Sequence, residues 1–178
     1  MAFSDTMKIV PRDLSGPFYS GKPLRKSDVL TIDPRISRLM FRTPIEIKAL
    51  NFSSATEVIL VGPSKITHIM SSGRLVSLGD LFCGSVEAGG DIIINGDLNT
   101  WLGDVDSANG SICVSGDMMC SGHIRATYGV VIVNGEVEGE FEPETRIFWE
   151  GASGEALPQA AKQIAVDAGR IIKSVTPK

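Results

Sequence analysis

Between Val58 and Gly151 the chain repeats one short unit six times: alternating apolar residues that end in a glycine. The units are VILVG ending at Gly62, LVSLG at Gly79, IIING at Gly96, ICVSG at Gly116, VIVNG at Gly135 and IFWEG at Gly151. Successive glycines are 17, 17, 20, 19 and 16 residues apart. Strand-like units at that period, turning at glycine, predict a parallel β-solenoid in which each repeat is one coil. Side chains alternate along a strand, so the fourth and second positions before each glycine share a face. Those positions hold Val58/Leu60, Leu75/Ser77, Ile92/Ile94, Ile112/Val114, Val131/Val133 and Ile147/Trp149, and they should stack as the interior.

Two further columns follow the corner. A second segment opens with an acid and an apolar residue: Asp80-Leu81, Asp97-Leu98, Asp117-Met118 and Glu136-Val137. A third begins after Gly84, Gly103, Gly122 and Gly139, with Val86, Val105, Ile124 and Phe141 pointing in and Glu87, Asp106, Arg125 and Glu142 pointing out. Three short strands per coil give a triangular section. Coils of this length with variable corners, free of strict hexapeptides, favour a right-handed parallel β-helix of about six coils over residues 45–152.

One column breaks the alternation. The third position before each glycine should face water, yet it reads Ile59, Val76, Ile93, Cys113, Ile132 and Phe148. An apolar outer stripe of that length needs a cover or is an interaction surface. Three covers are open: the chain's own C-terminal helix, a second subunit, or both together.

The flanks read differently. Residues 1–44 carry five prolines (Pro11, Pro17, Pro23, Pro34 and Pro44), which forbid a long helix and favour extended backbone. Two strand-like pieces stand out there, Val29–Ile32 and Arg38–Arg42, and the segment is expected to lie along the solenoid or cap its first coil. Ile45–Leu50 alternates and should enter the first coil. At the other end, residues 155–173 change period: Leu157, Ala161, Ile164, Ala168 and Ile171 or Ile172 recur at helical spacing, with Pro158 in the first turn. A single amphipathic helix is expected to close the chain.

Charge divides the chain. Residues 1–48 hold nine Lys/Arg against five Asp/Glu, about +4, which leaves about −8 in the remainder of a net −4. The segment is either a solvated face or a basic surface for an anionic partner such as lipid, nucleic acid or the acidic solenoid of another copy. Cys83, Cys113 and Cys120 are odd in number and sit in apolar patterns, so they read as reduced thiols. The N-terminus lacks the charged-then-apolar order of a signal peptide, and no apolar run reaches the roughly 18 residues of a membrane span. The cytoplasm is the expected location.

Candidate chemistry is sparse. His68 and His123 are the two histidines, too few for a three-histidine zinc site within one chain, and His123 falls at an outward corner. Asp80, Asp97, Asp117 and Glu136 form a carboxylate ladder, but Gly-Asp at a corner is ordinary turn chemistry. GGDIIINGD lacks the lysine and helix of a phosphate loop, and neither Cys113 nor Cys120 has an evident base beside it. The expectation is a non-enzyme with no catalytic residue, metal or cofactor.

The segments GGDIIINGDLN, SANGSICVSGDMMCSGHIRA and VVIVNGEVEGEF resemble the polymer-forming β-helical families of bacteria: bactofilins, the C-terminal domain of the division inhibitor MinC, and the flagellar assembly protein A family. The resemblance covers about half the chain. It implies a right-handed triangular β-helix that self-associates end to end into filaments or through an apolar sheet face into dimers. The stripe from Ile59 to Phe148 would serve face pairing, and Phe141 and Trp149 an end contact. The chain departs from the bactofilin pattern in its long Pro-rich N-terminal segment and its closing helix, and a helix over the last coil would block head-to-tail growth. The first functional expectation is a self-associating, cytoskeleton-like scaffold with itself as partner. The alternative is a compact binding or inhibitor module, of phage or mobile-element origin, that occupies another protein. A trimeric solenoid enzyme is disfavoured by the shortage of histidine and the lack of hexapeptides.

Overall fold

The computed structural model describes residues 6–149, Val166, Gly169, Arg170 and residues 172–174, with side chains of the last strand described as far as Ile147. The expected helix positions Leu157, Ala161, Ile164, Ala168 and Ile171 lie outside the described residues, and those that are described there are helical.

The chain runs through β1 (Thr6–Ile9), a 3-10 turn (Pro11–Asp13), β2 (Leu14–Ser15), β3 (Phe18–Tyr19), β4 (Val29–Ile32), β5 (Arg38–Phe41), β6 (Glu46–Phe52), β7 (Glu57–Leu60), β8 (Ser64–Ser71) and β9 (Arg74–Ser77). It continues through β10 (Leu81–Ala88), β11 (Ile92–Ile94), β12 (Leu98–Thr100), β13 (Val105–Ser107), β14 (Ile112–Val114), β15 (Met118–Ala126), β16 (Val131–Val133), β17 (Val137–Phe141) and β18 (Ile147–Trp149). Strands pair in parallel with their counterparts one coil away, apart from the antiparallel β2–β3 hairpin, so the protein is a β-solenoid.

Three faces result. Face 1 stacks β5, β7, β9, β11, β14, β16 and β18. The long strands β6, β8, β10 and β15 bend round a corner, so their first halves build face 2 and their second halves face 3. In one coil β12 and β13 do this as separate strands.

The seven strands of face 1 define seven turns, where the glycine pattern predicted six. The extra turn comes from the Pro-rich segment. Strand β4 pairs with β6 and β5 with β7 in full register, so residues 29–41 are a coil of the solenoid itself. Residues 6–24 then act as the cap, with Met7, Leu14, Tyr19 and Leu24 packed against the core. The solenoid therefore starts before Ile45. Pro44 occupies the first corner where later coils carry glycine, and a Cβ on Gly62 would sit 3.2 Å from its ring.

The inward columns are as the alternation requires. Val58, Leu60, Leu75, Ile92, Ile112, Val114, Val131 and Val133 from face 1 meet Ile66, Leu81, Leu98 and Met118 from face 2 and Ile69, Val86, Val105 and Ile124 from face 3 in one core. Each such side chain contributes roughly 1.5–3 kcal/mol when buried, which offsets the ordering of its backbone. Hydroxyls that face inward near corners donate to backbone carbonyls: Ser77 to Gly79 at 2.7 Å, Ser107 to Gly90 at 2.9 Å and Thr100 to Gly103 at 3.1 Å. None is left as a buried unpaired donor, a state that costs about 1–3 kcal/mol.

Corner glycines have a specific cause. The carboxylate of Asp97 accepts the N–H of Asp117 one coil on at 2.9 Å, and a Cβ on Gly116 would lie 2.0 Å from that same oxygen. The pattern recurs where Asp117 accepts from Glu136 beneath Gly135, and at the other two corners, where Asp104 accepts from His123 beneath Gly122 and Asp91 from Ser111 beneath Gly110. The pairs Gly96-Asp97 and Gly116-Asp117 thus make room for the preceding carboxylate and supply the next one.

Candidate functional site

The outer stripe of face 1 is buried. Ile59 and Val76 are fully buried, and Ile93, Cys113 and Ile132 nearly so. They form a second apolar cluster, separate from the core, together with Met40 and Val130. Among the described residues Phe18 packs on it from the N-terminal hairpin, and Ile172 packs on it from the C-terminal helix. Gly169 and Ile172 close a cavity of about 160 Å³ over Ile93, Cys113 and Ile132. Of the three covers open to this stripe, the chain's own helix therefore supplies at least part. Phe148 follows Ile132 in register, but the side chains of Phe148 and Trp149 lie outside the described residues. Phe141 is in register with Ile124 and packs, half-buried, against the core.

The carboxylate ladder is structural chemistry. Asp80, Asp97 and Asp117 each use one oxygen on the backbone N–H of the coil above, and among the described residues no group of three or more His, Cys, Asp or Glu is arranged to hold a metal ion. His123 stands at an exposed corner 3.7 Å from Asp104 and 3.4 Å from Glu140. His68 meets the Ser85 hydroxyl at 3.2 Å on the surface of face 3. Burial pushes the Cys83 and Cys113 thiols up to about 12, which keeps them protonated and poorly nucleophilic.

Much of the N-terminal positive charge is paired within the fold. Lys8 and Arg35 both contact the buried carboxylate of Asp33 and hold it well below the usual carboxylate range, the Arg35 hydrogen bonds contributing most. Lys26 pairs with Glu46 at 2.9 Å. Arg38, Glu57, Arg74 and Asp91 form a ladder of alternating charge down one corner, and Arg42 stacks on Phe18. Lys8, Lys26, Arg35, Arg38 and Arg42 thus have partners inside the molecule, which weakens the reading of this segment as an anion-docking arm.

A different apolar surface is exposed, one the sequence pattern did not single out. Face 2 is three residues wide, so each coil presents one outward side chain, and the outward column reads Glu46, Lys65, Phe82, Asn99, Met119 and Glu138 in register. Phe82 is 41% and Met119 47% exposed. Beside them the corner between faces 2 and 3 is longest in one coil: four residues, 101–104, link β12 to β13, where β10 uses two, Gly84 and Ser85, and β15 three, 121–123. That corner carries Trp101, 38% exposed, and Leu102, 62% exposed. The Trp101 ring leans back towards the Lys65 ammonium, 5.4 Å from its centroid. Two signals were present in the sequence: three consecutive apolar residues in LFC and MMC, and the longest glycine step, 20 residues, around Trp101.

Among the described residues no helix is long and apolar enough to cross a membrane. No protein-family model, curated protein or solved structure matches this chain. The β-solenoid architecture is consistent with a β-helix family, and none of these comparisons names bactofilins or their relatives.

Proposed function

We propose that this chain is a non-enzymatic scaffold that works by associating with copies of itself, and that the association is lateral, through an outer sheet face. The observation that carries this reading is the exposed set Phe82, Trp101, Leu102 and Met119 on one side of the solenoid. Large apolar side chains grouped on a surface favour association. Lateral contact is preferred to end-to-end growth because the N-terminal end is closed, with Tyr19 and Leu24 over the core and an antiparallel hairpin at the edge of face 1. Face 1 is a poor candidate for the contact, since its stripe is already covered. Sedimentation velocity over a wide concentration range tests the proposal: the sedimentation coefficient is expected to rise with concentration, and a monomer throughout would overturn it.

A second reading, a compact module that occupies another protein, draws on the extruded corner. Trp101 and Leu102 project from one coil alone, as a single anchor for a partner pocket would. A chain that stays monomeric would leave this reading standing and remove the first.

A further inference from the structure

The outward column of face 2 is self-complementary, and this deepens the self-association proposed above. From Lys65 to Glu138 it reads base, apolar, polar, apolar, acid, with Asn99 at the centre. Rungs of a parallel sheet are about 4.8 Å apart, so the five positions span roughly 19 Å. Turned end for end about Asn99, the column meets its own complement: Lys65 faces Glu138, Phe82 faces Met119 and Asn99 faces Asn99. We infer that the partner of this surface is a second copy of the chain, packed face to face with its coils running the opposite way. The two-fold axis lies between the two faces along the β12 strands.

Three observations support this geometry over its alternatives. The other two-fold arrangement, with the coils running the same way, would set Lys65 against Lys65 and Glu138 against Glu138, and like charges in contact are unfavourable. The opposed arrangement also places Lys48 and Lys65 of one copy near the glutamates at 136, 138, 140, 142 and 144 of the other, with the outward Glu46 one rung beyond the contact. Finally, an axis along the strand direction puts both extruded corners on the same edge of the contact. Trp101 and Leu102 lie next to the Asn99 rung, so each copy extends the apolar contact at its middle.

The contact is narrow, with one outward residue per coil. It lies below the roughly 800 Å² per partner of a standard stable interface, so the dimer is expected to be weak and to dissociate on dilution. Its terminal ion pairs are solvent-facing, so it also loosens as salt rises.

Charge reversal and its rescue test the register by sedimentation equilibrium. Lys65→Glu and Glu138→Lys should each raise the dissociation constant roughly tenfold, because every reversal turns two symmetry-related attractions into two repulsions. The double variant Lys65→Glu/Glu138→Lys should return it close to that of the wild type. Both positions are exposed, so the melting curves should be unchanged, which separates association from folding. A second arm uses Asn99→Cys with a bifunctional maleimide that spans the ~10 Å between packed sheets. Dimers should be trapped by Asn99→Cys and not by Glu87→Cys on face 3, and the buried native thiols keep the background low. Association that persists without rescue by the double variant, or trapping that is equal at both cysteines, overturns this register and leaves self-association intact. A wild-type chain that is monomeric at every concentration removes both.

Discussion

Faces 1 and 2 are built from the same coils, and each carries apolar side chains on its outer surface, yet the two outcomes differ. On face 1 the outward column is apolar without interruption from Met40 to Ile132, and the molecule covers it with Phe18 at one end and Ile172 towards the other. On face 2 the apolar positions Phe82 and Met119 alternate with Lys65, Asn99 and Glu138, and they remain exposed. A continuous stripe behaves as core that happens to lie outside the solenoid. An interrupted column can stay exposed, because no continuous run of apolar rungs demands a cover. The lesson concerns spacing more than composition: the run of apolar rungs separates a surface that must be covered from one that can wait for a partner.

The comparison can be broken most severely at the stripe. Ile93→Lys places an ammonium among Val76, Cys113 and Ile132, and should cost about 4 kcal/mol or more in chemical denaturation, since it removes a buried aliphatic side chain and buries an unpaired charge. A folded Ile93→Lys protein of unchanged stability would show that the stripe is not covered.

A smaller effect is expected at the cover itself. Ile172→Asp should loosen the helix at a cost of about 1–3 kcal/mol while leaving the coils intact. Cys113 is the reporter, because it lines the cavity that Gly169 and Ile172 close. Its thiol, pushed up to about 12 by burial with Asp91 adding to the rise, should react slowly with an alkylating reagent in the wild type and much faster in Ile172→Asp. Cys83, inside the solenoid, should stay slow in both proteins. The pH dependence has a definite sign. The native thiols hold their protons up to about 12, whereas an unfolded thiol ionises near 8.5. The native state therefore binds more protons in between, and stability present below about pH 8.5 should be lost progressively as pH rises towards 12. Flat stability across that alkaline range would contradict the burial of the two thiols.

The mildest change sharpens the contrast from the other side. Phe82→Ser on face 2 should alter stability by no more than about 0.5 kcal/mol, as expected of an exposed position. It should nevertheless weaken self-association in sedimentation. A large loss of stability would mean that Phe82 is part of a packed surface.

How far these faces were legible in the sequence depended on what marked their coils. Alternation before each glycine located six strands of face 1 and their inward side chains, because a period of two matches the pleat of a strand and no helix. The coil from Val29 to Phe41 escaped because Arg42-Thr43-Pro44 takes the place of a glycine corner, and the prolines around it read as linker. Its strands Val29–Ile32 and Arg38–Phe41 were visible as pieces, but their pairing with β6 and β7 was not. The stripe was legible as a column and its cover was not, since pattern alone cannot say which of two apolar surfaces meet. Phe82 and Met119 were missed for a related reason. In LFC and MMC the outward residue sits between two inward ones, and the three read together as core.

The corner carboxylates bear on the order in which the chain takes shape. Asp80, Asp91, Asp97, Asp104 and Asp117 each capture an amide of the coil that follows, and Gly96, Gly110, Gly116, Gly122 and Gly135 must settle over an aspartate already in place. A coil therefore has a seat only when its predecessor is formed, as nearest-neighbour stacking in a solenoid implies. The capped N-terminal end is also made first by the ribosome, so folding can proceed in the direction of synthesis, one coil laid on the last.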